Sequence, residues 1–267
     1  VNTNDKKYFS DFITLTPCPP IDSVTWKPNK RSAGIDVNVN AHDDTGKAKY
    51  FQWTFEESWE YTAKYGANNM LKDGVVVVPE VNVNRCWISK PSSEIHIAST
   101  DHLSTNTIRD FTLMFIPVRS QKITVKYSIK VQQRALTLEA YEFWTQLKKS
   151  TESLGGLFDP LPSQVLGNLH SADNSSEPVL GYFSGGQVDS KRIFIPARDI
   201  PTELRLPPIQ LCPIDSIPID QIRNYPDMLL IGSYGMPITE GYVTSSGRNC
   251  MDCRDDGGAL TKPDFWE

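Results

Sequence analysis

The sequence predicts a mainly β protein: an antiparallel immunoglobulin/fibronectin-like sandwich, then one helix and an irregular, Pro-rich α+β portion. Three observations predict it. Apolar and polar residues alternate at period two through several segments of the first half. Roughly seven short strand-like segments, separated by turn signals, fill about 115 residues, the usual extent of such a sandwich. Past residue 136, one helical stripe gives way to proline and glycine punctuation.

In chain order, residues 1–20 read as the remnant strand and linker of a missing N-terminal domain. Tyr8, Phe9, Phe12, Ile13 and Leu15 keep no clean period, and Thr16-Pro17-Cys18-Pro19-Pro20 is a stiff connector. Residues 21–135 are expected to form the sandwich. Ile35, Val37, Val39 and Ala41 alternate with Asp36, Asn38 and Asn40 before the turn Asp43-Asp44-Thr45-Gly46. In the next strand Phe51, Trp53, Phe55, Trp59 and Tyr61 share one parity, while Gln52, Thr54, Glu56, Ser58 and Glu60 share the other. Such a strand belongs to a sheet that covers a core with one face, and Trp53 is its expected core plug. Thr62 to Gly74 carries Gly66, Asn68, Asn69 and Asp73-Gly74 and reads as a surface loop. Further strands are expected at Val75–Val78, Asn82–Ile88, Glu94–Ala98 and Arg109–Val118, and along the alternation from Ile123 to Val131.

Residues 136–267 are expected to pack on the sandwich as a helix plus irregular β-rich chain. Thr137 caps the helix, Leu138, Tyr141, Trp144 and Leu147 form its apolar stripe, and Lys148 and Lys149 suit its negative end. Gly155-Gly156 stops it. Ser190 to Pro196 is a short strand. The seven prolines from Pro196 to Pro226 then force an extended strap, held by Ile209, Leu211, Ile214 and Ile217, and Phe265-Trp266 docks into the core.

The 267 residues allow one large domain or two modest ones. The longest apolar runs, such as Val75 to Val78 and Met228 to Ile231, fall far short of the ~18 residues of a membrane-crossing helix. A net charge of −5 without a Lys/Arg run argues against a nucleic-acid partner. Abundant aromatics and the lack of a repeat exclude a disordered or collagenous chain.

Catalytic constellations are sparse. His42, His96, His102 and His170 show no metal-ligand spacing. Ser184, in Gly181-x-x-Ser184-Gly185-Gly186, departs from the G-x-S-x-G pattern and reads as a glycine turn. Glu57 falls among the aromatics, where a carboxylate must be paired or hydrogen-bonded. A structural role is the simpler reading; sugar chemistry with Glu56 or Glu60 is the sharper one. Exposed Trp59 and Trp87 would stack sugar faces, so Glu57, Trp59 and Trp87 are the candidate ligand-binding residues. No catalytic residue, metal or cofactor is expected. Cys250 and Cys253 admit a redox pair, a zinc site with Cys86 and Cys212, or structural disulfides, which need only proximity and an oxidising compartment. Asp252, Asp255 and Asp256 fit no calcium-loop spacing.

Several motifs in order carry a resemblance: Ile21-Asp22-Ser23, the run Tyr50 to Tyr61, Cys86-Trp87, and Glu139-Ala140-Tyr141-Glu142-Phe143-Trp144. They continue with Phe158-Asp159-Pro160-Leu161-Pro162-Ser163, Gly167-Asn168, Gly181-Tyr182-Phe183, Cys250-x-Asp252-Cys253-Arg254-x-x-Gly257-Gly258 and Lys262-Pro263-x-Phe265-Trp266. The chain resembles a Bacteroidota outer-membrane lipoprotein family known as domain of unknown function 4249. The resemblance implies a C-terminal portion without the signal peptide, lipidated cysteine and N-terminal immunoglobulin-like domain. It also implies a non-enzymatic, surface-exposed accessory subunit beside a TonB-dependent outer-membrane receptor, with membrane contact only through that lipid anchor. It carries over no catalytic residues. An extracytoplasmic location turns Cys86, Cys212, Cys250 and Cys253 towards disulfides, with Cys250–Cys253 closing a very small loop and a pair such as Cys86–Cys212 a long one; Cys18 is left free. A glycan-binding module or glycoside-active enzyme, and a structural envelope protein, are the alternatives.

Overall fold

The computed structural model describes residues 2–3, 6–152, 165–231, 238–239 and 241–267. The motif from Phe158 to Ser163 and the stop at Gly155-Gly156 lie outside the described residues. The first half holds strands β1 (Asn2–Thr3), β2 (Lys6–Ser10), β3 (Ile21–Asn29), β4 (Gly34–His42), β5 (Tyr50–Thr62) and β6 (Asn69–Lys72). It continues with β7 (Val75–Val77), β8 (Arg85–Pro91), β9 (His96–Ser99), β10 (Thr107–Pro117), β11 (Lys126–Leu136) and helix α1 (Leu138–Glu152). Strands β12 (Leu169–Ser171), β13 (Val188–Pro196), β14 (Ile214–Pro218), β15 (Met228–Leu230), β16 (Ile238–Thr239) and β17 (Tyr242–Ser246) follow.

The protein is mainly β, and its body is an antiparallel sandwich. One sheet has the order β10-β4-β3; the other runs β13-β11-β5-β8, with β9 pairing the first part of β5. The predicted parity holds: Ile35, Val37, Val39, Ala41, Phe51 and Trp53 are wholly buried, and Trp59 and Tyr61 nearly so. Trp53 lies between Phe51 and Phe111, and its Nε1 donates to Gln133 Oε1 at 2.8 Å. That bond satisfies the one polar atom a tryptophan brings into a core. The turn after β4 forms as read. Asp43 accepts from the Thr45 and Ala48 amides, and Gly46 takes the left-handed φ of 69° the turn demands.

The other parity of β5 is not simply solvated. Ser58 and Glu60 are buried on the outer face, where the chain end lies. Trp266 docks there rather than in the core between the sheets, with Nε1 donating to Glu60 Oε2 at 3.0 Å and its ring edge-on to Phe194. Arg192 stands 3.6 Å over the Phe265 ring. Helix α1 begins where predicted, capped by Thr137 Oγ1 accepting from Ala140 N, but Ala140 and Phe143 form its buried face and Leu138 is exposed. The stripe is therefore rotated from its expected position.

Three further expectations change. The loop from Thr62 to Gly74 contains β6, whose Leu71 is fully buried between β15 and β7. Strand β3, unmarked in the sequence reading, completes the smaller sheet. In the Pro-rich strap only Ile217 of the four expected anchors is buried; Ile209, Leu211 and Ile214 face solvent, and Ala197, Ile200, Leu204 and Cys212 do the holding.

The four candidate cysteines pair as Cys86–Cys253 and Cys212–Cys250, and Cys18 is free. Neither Cys250–Cys253 nor Cys86–Cys212 forms. Each member of the tail motif reaches a different distant partner, so the tail is stapled at two points. Gly258 permits this seat: a Cβ there would lie 2.5 Å from both Cys86 Cβ and Tyr61 Oη.

Candidate functional site

Strand parity decides what became of the predicted site residues. Glu57 points inward with Trp59, 8% exposed, and both its oxygens lie 2.7 Å from Lys122 Nζ. Tyr127 Oη donates to Glu57 Oε2 at 3.2 Å, and burial followed by that carboxylate pushes the Tyr127 phenol well above its usual range. Trp59 is 4% exposed, its Nε1 donating to Gln121 Oε1 and Lys122 standing 5.3 Å over its ring. A ring so enclosed offers no face to a sugar. Trp87 has the opposite parity and is half-buried on the outer face, with Arg85 5.7 Å over its ring and its backbone bridged to Ala259. Glu57 and Trp59 thus form one saturated internal cluster, and Trp87 belongs to the tail seat. Glu57→Gln is expected to cost about 2 kcal/mol, between exposed and fully buried ion pairs, in urea unfolding with an unchanged slope.

The histidines are dispersed. His42 pairs with Asp22 at 2.7 Å, His170 with Asp11 at 3.1 Å, and His96 is buried beside Phe55. Among the described residues no three His, Cys, Asp or Glu side chains come together as a metal site. In the Gly181 to Gly186 segment only Gly181 takes a left-handed φ, of 118°. Asn168 pins this segment, its Nδ2 donating to Phe183 O and its Oδ1 accepting from Phe183 N.

The structure instead opens a cleft of about 730 Å³ between two small sheets, β14-β17-β16 and β15-β6-β7. Its volume falls in the range of small-molecule sites. Ile217, Val243, Leu71 and Leu230 form a minor core beneath it, and Ser245 Oγ donates to Leu229 O at 2.7 Å to join the two sheets. Met70, Met228 and Tyr225 supply apolar and aromatic lining; Asp215, Asp227, Arg248 and Arg254 supply charge.

One wall is built by the tail. Asp252 is 1% exposed and caps the short turn that follows it, accepting from Arg254 N at 3.0 Å. Its carboxylate also takes Arg254 Nε at 2.9 Å and Arg254 Nη2 at 2.6 Å, a fork that fixes the guanidinium plane. Arg248 reaches the same carboxylate at 3.4 Å and Asp255 at 3.2 Å. Burial alone would raise the Asp252 pKa; the Arg254 hydrogen bonds and the two guanidinium charges outweigh it and hold the group below its usual range. Each arginine keeps further N–H donors beyond these bonds. The cleft therefore offers pre-oriented donors on one wall, carboxylate acceptors at Asp215 and Asp227, and the Tyr225 ring. That is equipment for holding a polar solute. Asp252 and Arg254 stood out in the sequence as part of the cysteine motif; Tyr225 and Asp227 carried no signal, because their place in the cleft depends on the path of distant chain segments.

A model of the family described as a domain of unknown function (DUF4249) matches residues 1–192. No curated protein and no solved structure matches the chain. The matched span contains the sandwich, α1 and most of β13; the cleft's tail wall and three of the four paired cysteines lie beyond it.

Proposed function

The chain belongs to the DUF4249 family, and from that premise we propose that it is a lipid-anchored, surface-exposed outer-membrane protein of a Bacteroidota species. In this reading it is a non-enzymatic accessory subunit of a TonB-dependent nutrient importer, and the cleft holds the solute to be imported. The family resemblance supports the envelope setting. Two disulfides support an oxidising compartment. The observation that carries the binding role is the cleft itself, where a buried carboxylate fixes two guanidiniums beside an open aromatic.

Calorimetric titration with panels of oligosaccharides and short peptides tests the binding role. A solute that binds is expected to lose roughly tenfold or more in affinity with Tyr225→Ala, because aromatic anchors in such sites carry a large share of the energy. Tyr225 is 39% exposed, so folding is expected to survive the change. Binding unaffected by Tyr225→Ala, or flat titrations across both panels, would remove the cleft from the account.

A further inference from the structure

We propose that the strap from Leu206 to Ile214 is a membrane-contact ridge that sets Ile209 and Leu211 into an anionic lipid surface. Ile209 is 85% exposed and Leu211 91%. An extended segment on a protein surface ordinarily turns its apolar parity inward and its polar parity out. Here the inward positions are taken by half-buried Gln210 and the disulfide-bonded Cys212 instead of the two aliphatics. Gln210 is drawn inward, its carbonyl accepting from Lys64 Nζ at 3.0 Å and its Nε2 donating to Asn249 O at 3.0 Å. Cys212 is buried, bonded to Cys250, and its carbonyl accepts from Tyr65 Oη at 3.1 Å. The two aliphatic side chains between these fixed points are left outward.

The ridge is held along its length. Arg119 donates to Pro207 O at 3.2 Å, and Pro207, Pro208 and Pro213 restrict the backbone. Ordering has been completed in the free protein, so inserting the tips costs little additional entropy.

Charge selects the occupant. The chain carries a net charge of −5, yet the side chains that clasp the ridge from outside are Lys64 and Arg119, both exposed. An apolar tip flanked by cations is the arrangement that peripheral proteins present to anionic headgroups. Protein hot spots draw instead on Trp, Tyr and Arg, with Leu under-represented. The ridge lacks those aromatics, and its two aliphatic side chains suit the boundary between headgroups and acyl chains. The inference does not rest on the cleft's solute or on a receptor.

Co-sedimentation of the 267-residue chain with vesicles tests it. The chain is expected to bind mixed phosphatidylcholine–phosphatidylglycerol vesicles and to be released by high salt. Binding to phosphatidylcholine alone is expected to be weaker. The double variant Ile209→Ser, Leu211→Ser is expected to lose roughly tenfold or more in partitioning, since two exposed aliphatics no longer leave water. Lys64→Gln is expected to weaken binding to the mixed vesicles only. Thermal unfolding of each variant checks that the fold is kept. Equal binding by the double variant, or binding indifferent to phosphatidylglycerol, would overturn the proposal. No binding by the unaltered chain to either vesicle would overturn it too and leave a protein surface as the ridge's partner.

Discussion

Replacing Cys86 and Cys253 together by Ala is expected to lower unfolding free energy by about 5 kcal/mol in the chain-entropy account of disulfides. The bond joins residues 167 positions apart, from an edge strand of the larger sheet to the tail. Breaking it opens a loop of nearly two thirds of the chain's length in the unfolded state, within which Cys212–Cys250 still closes a smaller one. A typical domain is stable by about 5–15 kcal/mol, so the variant would be marginal at best. Cys212–Cys250 spans 38 residues inside that loop, and its loss is expected to cost less. Guanidinium unfolding of both pairs of variants, compared with the oxidised protein, measures the ranking. A change below about 1 kcal/mol for the Cys86/Cys253 pair would mean that the tail is held by its noncovalent seat, chiefly Trp266 on Glu60 and the Tyr61 hydroxyl on the Cys253 carbonyl.

Trp53→Ala is expected to cost about 3–5 kcal/mol, the range for removing a large aromatic from a core. The side chain is wholly buried and contacts both sheets, stacking 4.7 Å from Phe111. Gln133 would also lose its indole donor while its own Nε2 stays bound to Pro19 O at 2.8 Å. Trp53→Phe separates the contributions: it keeps an aromatic ring in the site and strands one buried acceptor, at about 1–3 kcal/mol. Urea midpoints with unchanged slopes give both numbers. A Trp53→Ala cost near that of Trp53→Phe would show that the core closes around the gap and that Trp53 is not its plug.

The sandwich was legible because period two is a local signal. In β4, β5 and β11 each residue's parity alone assigns its face, and the structure keeps those assignments within the three strands, although the alternation expected from Ile123 starts only at Lys126, after a 3-10 turn at Gln121–Ile123. Trp59 shares that inward face with Phe51, Trp53 and Phe55, so its expected exposure as a sugar platform fails. What stayed hidden depends on distant partners. Strand β6 carries one fully buried residue, Leu71, among turn-forming neighbours, and it exists as a strand because β15 and β7 pair with it. Glu60 looked solvent-facing because Trp266, which covers it, is 206 positions away. The cysteine pairing could not be read either: Cys250 and Cys253 are neighbours in sequence, yet a turn between them sends one to the strap and the other to β8. The cleft belongs to this second class, being assembled from the strap, β6 and the tail.

The proposed role places the protein beside an importer. A pull-down of the full-length, anchored protein from its native cells under gentle solubilisation, read by mass spectrometry, tests that most directly. The expected result is a TonB-dependent outer-membrane receptor recovered in stoichiometric amount. Recovery of the protein with no receptor at all would contradict the claim.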